Sequence, residues 1–122
     1  MAQDANLKKF RKELHAGTVS LVLLAILRGA KEPMYGYQIA KRLEQADNSL
    51  LVGKQSALYP VLRNLCANGL LEGWVEPSVS GPPRRYYRIT DEGRAVLQAW
   101  SGAWDETKLF VDSILRENSH GQ

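Results

Sequence analysis

Apolar and polar positions alternate along this chain with two different periods, and the changes of period mark its elements. From Phe10 a helical pattern begins, with Leu14, Thr18, Leu21, Val22 and Ala25 recurring at helical spacing and the run continuing to Leu27. Val19, Leu23 and Ile26 fill the adjacent angles, so the later part is apolar almost all round, as in a helix at the centre of a core. Gly29 ends this helix, and Lys31-Glu32-Pro33 reads as a connecting turn. A second helix is expected from Tyr35 to Ala46, with Ile39 and Leu43 facing inward and Lys41, Arg42, Glu44 and Gln45 outward. Asp47 to Gly53 links it to a third.

The third helix carries Leu58, Val61, Leu62 and Leu65 at the i, i+3, i+4, i+7 spacing of a buried stripe. Its other side presents Gln55, Tyr59 and Arg63, flanked by Ser56 and Pro60. With Ser56 as N-cap, Pro60 would fall at the end of the first turn, where its missing N–H does little harm. Asn68-Gly69 stops the helix, with Gly69 in the C′ position. Two short strands are expected next, Leu70 to Glu76 and Tyr86 to Ile89, separated by a Pro-, Ser- and Gly-rich tip from Pro77 to Pro83. Thr90 reads as an N-cap, with Asp91 and Glu92 in the first turn of a last helix that reaches Glu117.

Helix, helix, helix, strand, tip, strand is the order of a winged helix-turn-helix. The expected fold is therefore mainly α with a small β-wing, residues 10–90 forming the winged domain and 91–117 a C-terminal dimerisation helix. Residues 1–9 and 118–122 read as flexible ends. On the last helix Leu97, Trp100, Trp104, Thr107, Val111 and Ile114 follow alternating spacings of three and four, with Val96, Ala103 and Phe110 beside them. That surface is too wide and too aromatic for one small domain to bury, so a second copy should cover it. Val96, Leu97, Trp100, Trp104, Phe110, Val111 and Ile114 are the expected dimer contacts.

Charge sharpens this picture. The 122 residues carry a net charge of +3, yet residues 1–70 hold ten Lys/Arg against five Asp/Glu and the remainder six against eight. The basic excess gathers around Lys8, Lys9, Arg11, Lys12, Lys41, Arg42, Lys54 and Arg63, and a second knot at Arg84, Arg85 and Arg88 interrupts the acidic half. Local basic patches suit an anionic partner, although a charge run is as often a solvated face. The fold and the charges together assign double-stranded DNA to Lys54, Gln55, Ser56, Tyr59 and Arg63 around the third helix, and to Arg84 and Arg85 at the wing tip. Tyr59 could equally pack against the wing, and strand alternation could turn one of the two arginines away. Tyr86, Tyr87 and Trp74 read as packing residues.

Other chemistry is sparse. Cys66 is the single cysteine, so an intramolecular disulfide and a CxxC metal site are excluded, and His15 and His120 have no partners at metal spacing. The chain shows no nucleophile–base pair, no Gly-rich phosphate loop and no carboxylate pair, which argues against an enzyme; no cofactor or metal is required. The longest apolar run, Thr18 to Leu27, falls far short of the roughly 18 residues of a membrane span, and the polar N-terminus lacks a secretion signal, so a soluble cytoplasmic protein is expected. Trp100 and Trp104 admit two readings, dimer packing and a pocket for a planar aromatic small-molecule effector.

Over residues 12–117 the chain resembles the PadR family of bacterial transcriptional regulators. The resemblance rests on Glu13-Leu14 with Gly17-Thr18, then Tyr35-Gly36-Tyr37 with Ile39, then Leu58-Tyr59-Pro60 with Leu62 and Leu65. It continues through Gly81, Pro83, Arg84, Arg85, Tyr86 and Tyr87 to Thr90 and Gly93-Arg94. Pro82 and Ala57 depart from it, standing where the family often has Arg and Ser or Thr. The resemblance implies a homodimeric, sequence-specific repressor on a pseudo-palindromic operator, released by a small-molecule effector. It also implies a single C-terminal helix and a ligand-stacking role for Trp104. A winged-helix protein-interaction module, or a small-molecule binder without a DNA role, are the alternatives; Lys54, Arg63, Arg84 and Arg85 argue against the first.

Overall fold

The structure, a computed structural model, describes residues 2–46 and 55–120, with side chains over 4–45 and 57–117. Its elements are α1 (Ala2–Gly29), β1 (Met34–Tyr35), α2 (Gly36–Ala46), α3 (Gln55–Ala67), β2 (Leu71–Ser78), β3 (Gly81–Ile89) and α4 (Asp91–His120). Three helices, a hairpin and a long final helix follow in the order expected of a winged helix-turn-helix.

The core is where α1, α2, α3 and the sheet converge. Leu23, Leu24, Leu27, Ile39, Leu43, Leu58, Leu62 and Leu65 are buried there with Tyr87, Ile89 and Leu97. The i, i+4 pair of α2 and the stripe of α3 thus face inward as their spacing requires, with Val61 half-buried at the margin. In α1 the expected stripe is displaced. Leu23, Leu24 and Leu27 are buried, whereas Thr18, Leu21, Val22 and Ala25 are half-buried and Leu14 is 42% exposed. A segment apolar on every side leaves the choice of face to its neighbours, and the buried residues of α1, Leu23, Leu24 and Leu27, all lie in its C-terminal half.

The helix ends are set by local chemistry. Gly69 has φ 76°, and the Leu70 N–H donates to the Leu65 carbonyl (2.9 Å) while the Gly69 N–H donates to the Cys66 carbonyl (3.0 Å). These two bonds form a Schellman cap that turns α3 into β2. At α2 the Tyr35 N–H donates to Gln38 Oε1 (3.0 Å), one half of a capping box. At α4 the Gly93 N–H donates to Thr90 Oγ1 (2.9 Å), and the Thr90 hydroxyl donates to the Gly69 carbonyl (2.7 Å). Thr90 therefore caps α4 and ties it to the end of α3.

Several boundaries differ from expectation. α1 begins at Ala2 rather than Phe10, with Asp4 in its first turn complementing the helix dipole. α3 begins at Gln55, so Pro60 lies inside the helix; its exposed position lets water meet the carbonyl it leaves unpaired. The wing strands run on past the expected tip, and the turn is only Val79-Ser80. Pro77 sits on edge strand β2 at an irregularity between Glu76 and Ser78, and Pro82 and Pro83 lie opposite it, where the ladder is already broken. The two-residue β1 was not foreseen. It pairs Met34 with Tyr87 and Tyr35 with Tyr86, giving an antiparallel sheet of order β1-β3-β2.

Candidate nucleic-acid interface

The outer side of α3 is the most prominent polar helix face beside the wing. Arg63 is exposed there, and Gln55 and Ser56 belong to the first turn of the same helix; Lys54 lies outside the described residues. Tyr59 is more committed than the sequence suggests. Its ring covers Gly36 so closely that a β-carbon there would come within 2.7 Å of Tyr59 Cε1. Glycine at the start of α2 is thus what lets Tyr59 lie across the helix-turn-helix. Its 37% exposure leaves an edge in solvent.

Arg84 and Arg85 are not at the wing tip. They stand within β3, opposite Glu76 and Val75 respectively. Successive strand residues face opposite sides, and Tyr87 and Ile89 are buried, so Arg85 shares the inner, helix-facing side while Arg84, Tyr86 and Arg88 face outward. The outer side is a chain of rings. Tyr35 meets Tyr86 edge-on (5.5 Å, 66°), and Tyr86 stacks on Trp74 (6.3 Å, 19°). Arg84 lies over Tyr35 at 4.4 Å and Arg88 over Trp74 at 5.4 Å. Arg88 also pairs with Glu72 at 2.6 Å, and the Trp74 indole donates to Glu76 (2.7 Å). Trp74 and Tyr86 are packing residues, as expected, but on the outer face of the wing.

On the inner side Gly73 opens a passage between strand and helix. A β-carbon there would be 3.3 Å from Cys66 Sγ and 3.4 Å from Arg85 Nη1. Burial pushes the Cys66 thiol up, partly offset by the Arg85 charge, so it stays protonated at neutral pH and is a poor nucleophile. Burial likewise raises the Tyr87 phenol, against the opposing charges of Arg85 and Arg63. Arg85 reaches the seam between α3 and the wing beside Cys66, and Arg63 stands one turn before Cys66 on α3.

The last helix divides its apolar residues between two uses. Leu97 is 1% exposed, buried in its own subunit, and Val96 and Trp100 pack against the same core. Leu97 thus offers no surface to a second copy, a correction to its place among the dimer contacts; near the N-terminus of α4 it joins the core, where α4 packs on α1. Further along, Trp104, Phe110, Val111 and Ile114 are exposed, as are Leu109 and Leu115, which the stripe count omitted. Leu7, Phe10 and Leu14 on α1 extend the exposed apolar set. Phe10 opens the helical pattern read from the sequence and Leu14 belongs to its stripe, whereas Leu7 lies before the expected start. Between α1 and α4 opens a cavity of about 520 Å³, with Trp100, Ala103, Trp104 and Thr107 on one wall and Leu14, Gly17, Thr18 and Leu21 on the other. Glu13, unremarked in the sequence for this purpose, supplies the one charged side chain of that lining.

Comparison with known proteins agrees with this architecture. The profile of the transcriptional regulator PadR-like family matches residues 23–99. A PadR family transcriptional regulator from Eggerthella lenta DSM 2243 superposes with a TM-score of 0.81 at 36% identity, covering 94% of this chain and 96% of that one. A PadR-like transcriptional regulator from Bacillus cereus strain ATCC 14579 gives 0.69 at 27% identity, over 84% and 96% of the two chains. An uncharacterised protein X of Lysinibacillus sphaericus is 28% identical over 105 residues, 86% of this chain and 94% of its own.

Proposed function

The chain belongs to the transcriptional regulator PadR-like family, and on that footing we propose that it acts as a homodimeric repressor on a pseudo-palindromic operator and is released by a planar small molecule. Its family is one of DNA-binding transcriptional regulators rather than enzymes. No described helix is long and apolar enough to cross a membrane.

The observation that carries the DNA reading is the continuity of the exposed face of α3 with the inner side of the wing, joined by Arg63 and Arg85. A helix anchored by Leu58, Leu62 and Leu65 can insert its polar face into a major groove, and the wing then lies along the adjacent backbone. Two copies would present two such helices to half-sites about 34 Å apart, one helical turn, or a multiple of it. The test is duplex binding at about 50 and 200 mM salt. A dimer making six to ten phosphate contacts loses about 10³- to 10⁵-fold in affinity between them. A protein-interaction module would show no binding at either concentration.

The α1–α4 cavity supports the effector. Indole faces favour planar rings and cations, and Glu13 adds a negative charge at the wall. Release of DNA requires that the ligand prefer one spacing of the recognition helices; equal binding to both spacings shifts nothing. Thr90 and Gly93 supply a mechanical route, since they bind the start of α4 to the end of α3. Titration with planar cationic dyes should quench tryptophan fluorescence in the wild type and lower its DNA affinity. Both responses should be lost in Trp104→Ala. Quenching that persists without Trp104, or that leaves DNA affinity unchanged, removes the sensor from the reading and leaves the DNA role intact.

A further inference from the structure

We propose that the two adjacent wing arginines have separate tasks: Arg85 joins Arg63 in gripping the phosphodiester backbone of duplex DNA, whereas Arg84 is a positioning residue that braces the wing through Tyr35 and makes no DNA contact. The inference rests on the DNA-binding reading and divides its wing surface residue by residue.

Strand alternation separates the pair. Arg85 lies on the side of β3 that carries Tyr87 and Ile89, and Arg84 on the side of Tyr86 and Arg88. On that outer side each arginine has an aromatic partner: Arg84 lies over Tyr35, and Arg88 lies over Trp74 and pairs with Glu72. The Tyr35 ring meets Tyr86 edge-on and Tyr86 stacks on Trp74, so one continuous chain of ring contacts crosses β1, β3 and β2. Arg84 closes this stack at the end nearest α2. A guanidinium over an aromatic face is attracted by the ring quadrupole, and moving it to a phosphate would break the brace.

Arg85 is placed differently. It passes over Gly73, where the absence of a side chain makes room for it beside Cys66 of α3. Among the described residues no carboxylate lies within ion-pair distance of Arg85 or Arg63, and both are exposed. Arg63 stands one turn before Cys66 on α3, the residue beside which Arg85 passes at Gly73, and the Tyr87 phenol feels both charges. The two cations thus flank one seam, one from the recognition helix and one from the wing. Guanidinium forks suit the paired oxygens of phosphate, and phosphates fix a protein's register on a duplex.

The experiment compares Arg84→Gln, Arg85→Gln and Arg63→Gln on a duplex selected by the wild-type protein from a random-sequence library. The readout is the slope of log affinity against log salt. Arg85→Gln and Arg63→Gln should each reduce the slope by about one, and the double variant by about two. Arg84→Gln should weaken binding with the slope intact and alter the near-ultraviolet circular dichroism of the ring stack. Arg84→Lys, which keeps a cation over Tyr35, should restore affinity and spectrum. Arg85→Gln should leave that spectrum unchanged. An Arg84→Gln slope loss equal to that of Arg85→Gln, or an intact slope in Arg85→Gln, overturns the division while leaving the DNA role standing. Failure of the wild type to bind any duplex at low salt overturns both.

Discussion

Gly93→Ala is expected to lower the unfolding midpoint by roughly 10 °C, a loss of about 3 kcal/mol, although alanine is ordinarily the better helix former. Gly93 lies in the first turn of α4 and is buried. A β-carbon there would fall inside the van der Waals envelope of the Leu70 carbonyl oxygen and only 2.8 Å from Ile89 Cγ1. The carbonyl has no freedom to withdraw, because it accepts the Thr90 N–H (3.2 Å) and belongs to the residue whose own N–H closes the cap of α3. The clash can be relieved only by lifting α4 from the α3–β2 junction. That movement strains the bond from Thr90 Oγ1 to the Gly69 carbonyl and opens the packing around Leu70 and Leu97, both buried. Gly102→Ala is the matched control. It lies in the same helix with nothing within 4 Å of the added methyl, so it should gain up to about 1 kcal/mol from propensity alone. Thermal melts at one fixed protein concentration compare the two. A Gly93→Ala midpoint at or above wild type would show that the junction is loosely packed and that α4 is not held there.

The junction also illustrates which parts of this protein are legible in its sequence. Gly69 and Thr90 announce themselves because capping depends on one residue and its immediate neighbours, and both perform the expected task. The inward faces of α2 and α3 are equally plain, since each has only one apolar side to offer. Where a segment offers several sides or none, the sequence leaves the choice to tertiary neighbours. The C-terminal half of α1, apolar nearly all round, is one case. The two-residue β1 is another, too short for any period and held only by pairing to Tyr86 and Tyr87. Prolines misled at the wing, because Pro77, Pro82 and Pro83 read as a loop yet continue the strands where ladder bonds are already missing.

The candidate interface divides in the same way. The exposed position of Arg63 follows from the helical period, and the opposition of Arg84 to Arg85 follows from the strand period. Which of the two faces inward does not, because that is fixed by the burial of Tyr87 rather than Tyr86. Nor does the commitment of Tyr59, which depends on a glycine more than twenty positions away, Gly36, packing beneath its ring. The division of α4 was invisible for a related reason. An unbroken heptad-like stripe runs from Leu97 to Ile114, but its first residues are consumed by the subunit core before any second copy is met.

Replacing Val111 and Ile114 together with lysine is expected to convert the proposed dimer to a monomer and to reduce affinity for the proposed two-site operator by about 10²- to 10⁴-fold, the advantage that a second linked site confers. In the single chain these side chains are 45% and 40% exposed, so they are not holding the subunit core together. With Trp104 and Leu115 they lie on one side of α4, and Phe110 flanks them, because steps of three, four and seven residues return to nearly the same angle. Leu109, roughly 140° round the helix from Trp104, lies apart from this set, and the exposed Leu7, Phe10 and Leu14 of α1 supply more apolar surface. Monomeric proteins rarely leave so many large apolar side chains along one helix face in water, and covering them with the same face of a second copy satisfies both at once. Two lysines placed at that contact would each have to be buried without a partner or keep the interface open, at a cost of several kcal/mol. Light scattering should then report the mass of one chain, 13.7 kDa, instead of twice that value. Far-ultraviolet circular dichroism should retain most of the helical signal, since α1, α2 and α3 keep their core. Binding to a single half-site should be weakened far less than binding to the full operator, which separates loss of assembly from loss of the DNA-binding face. A variant that remains a dimer at the same concentration would place the contact elsewhere, with the α1 residues Leu7 and Phe10 the next positions to change.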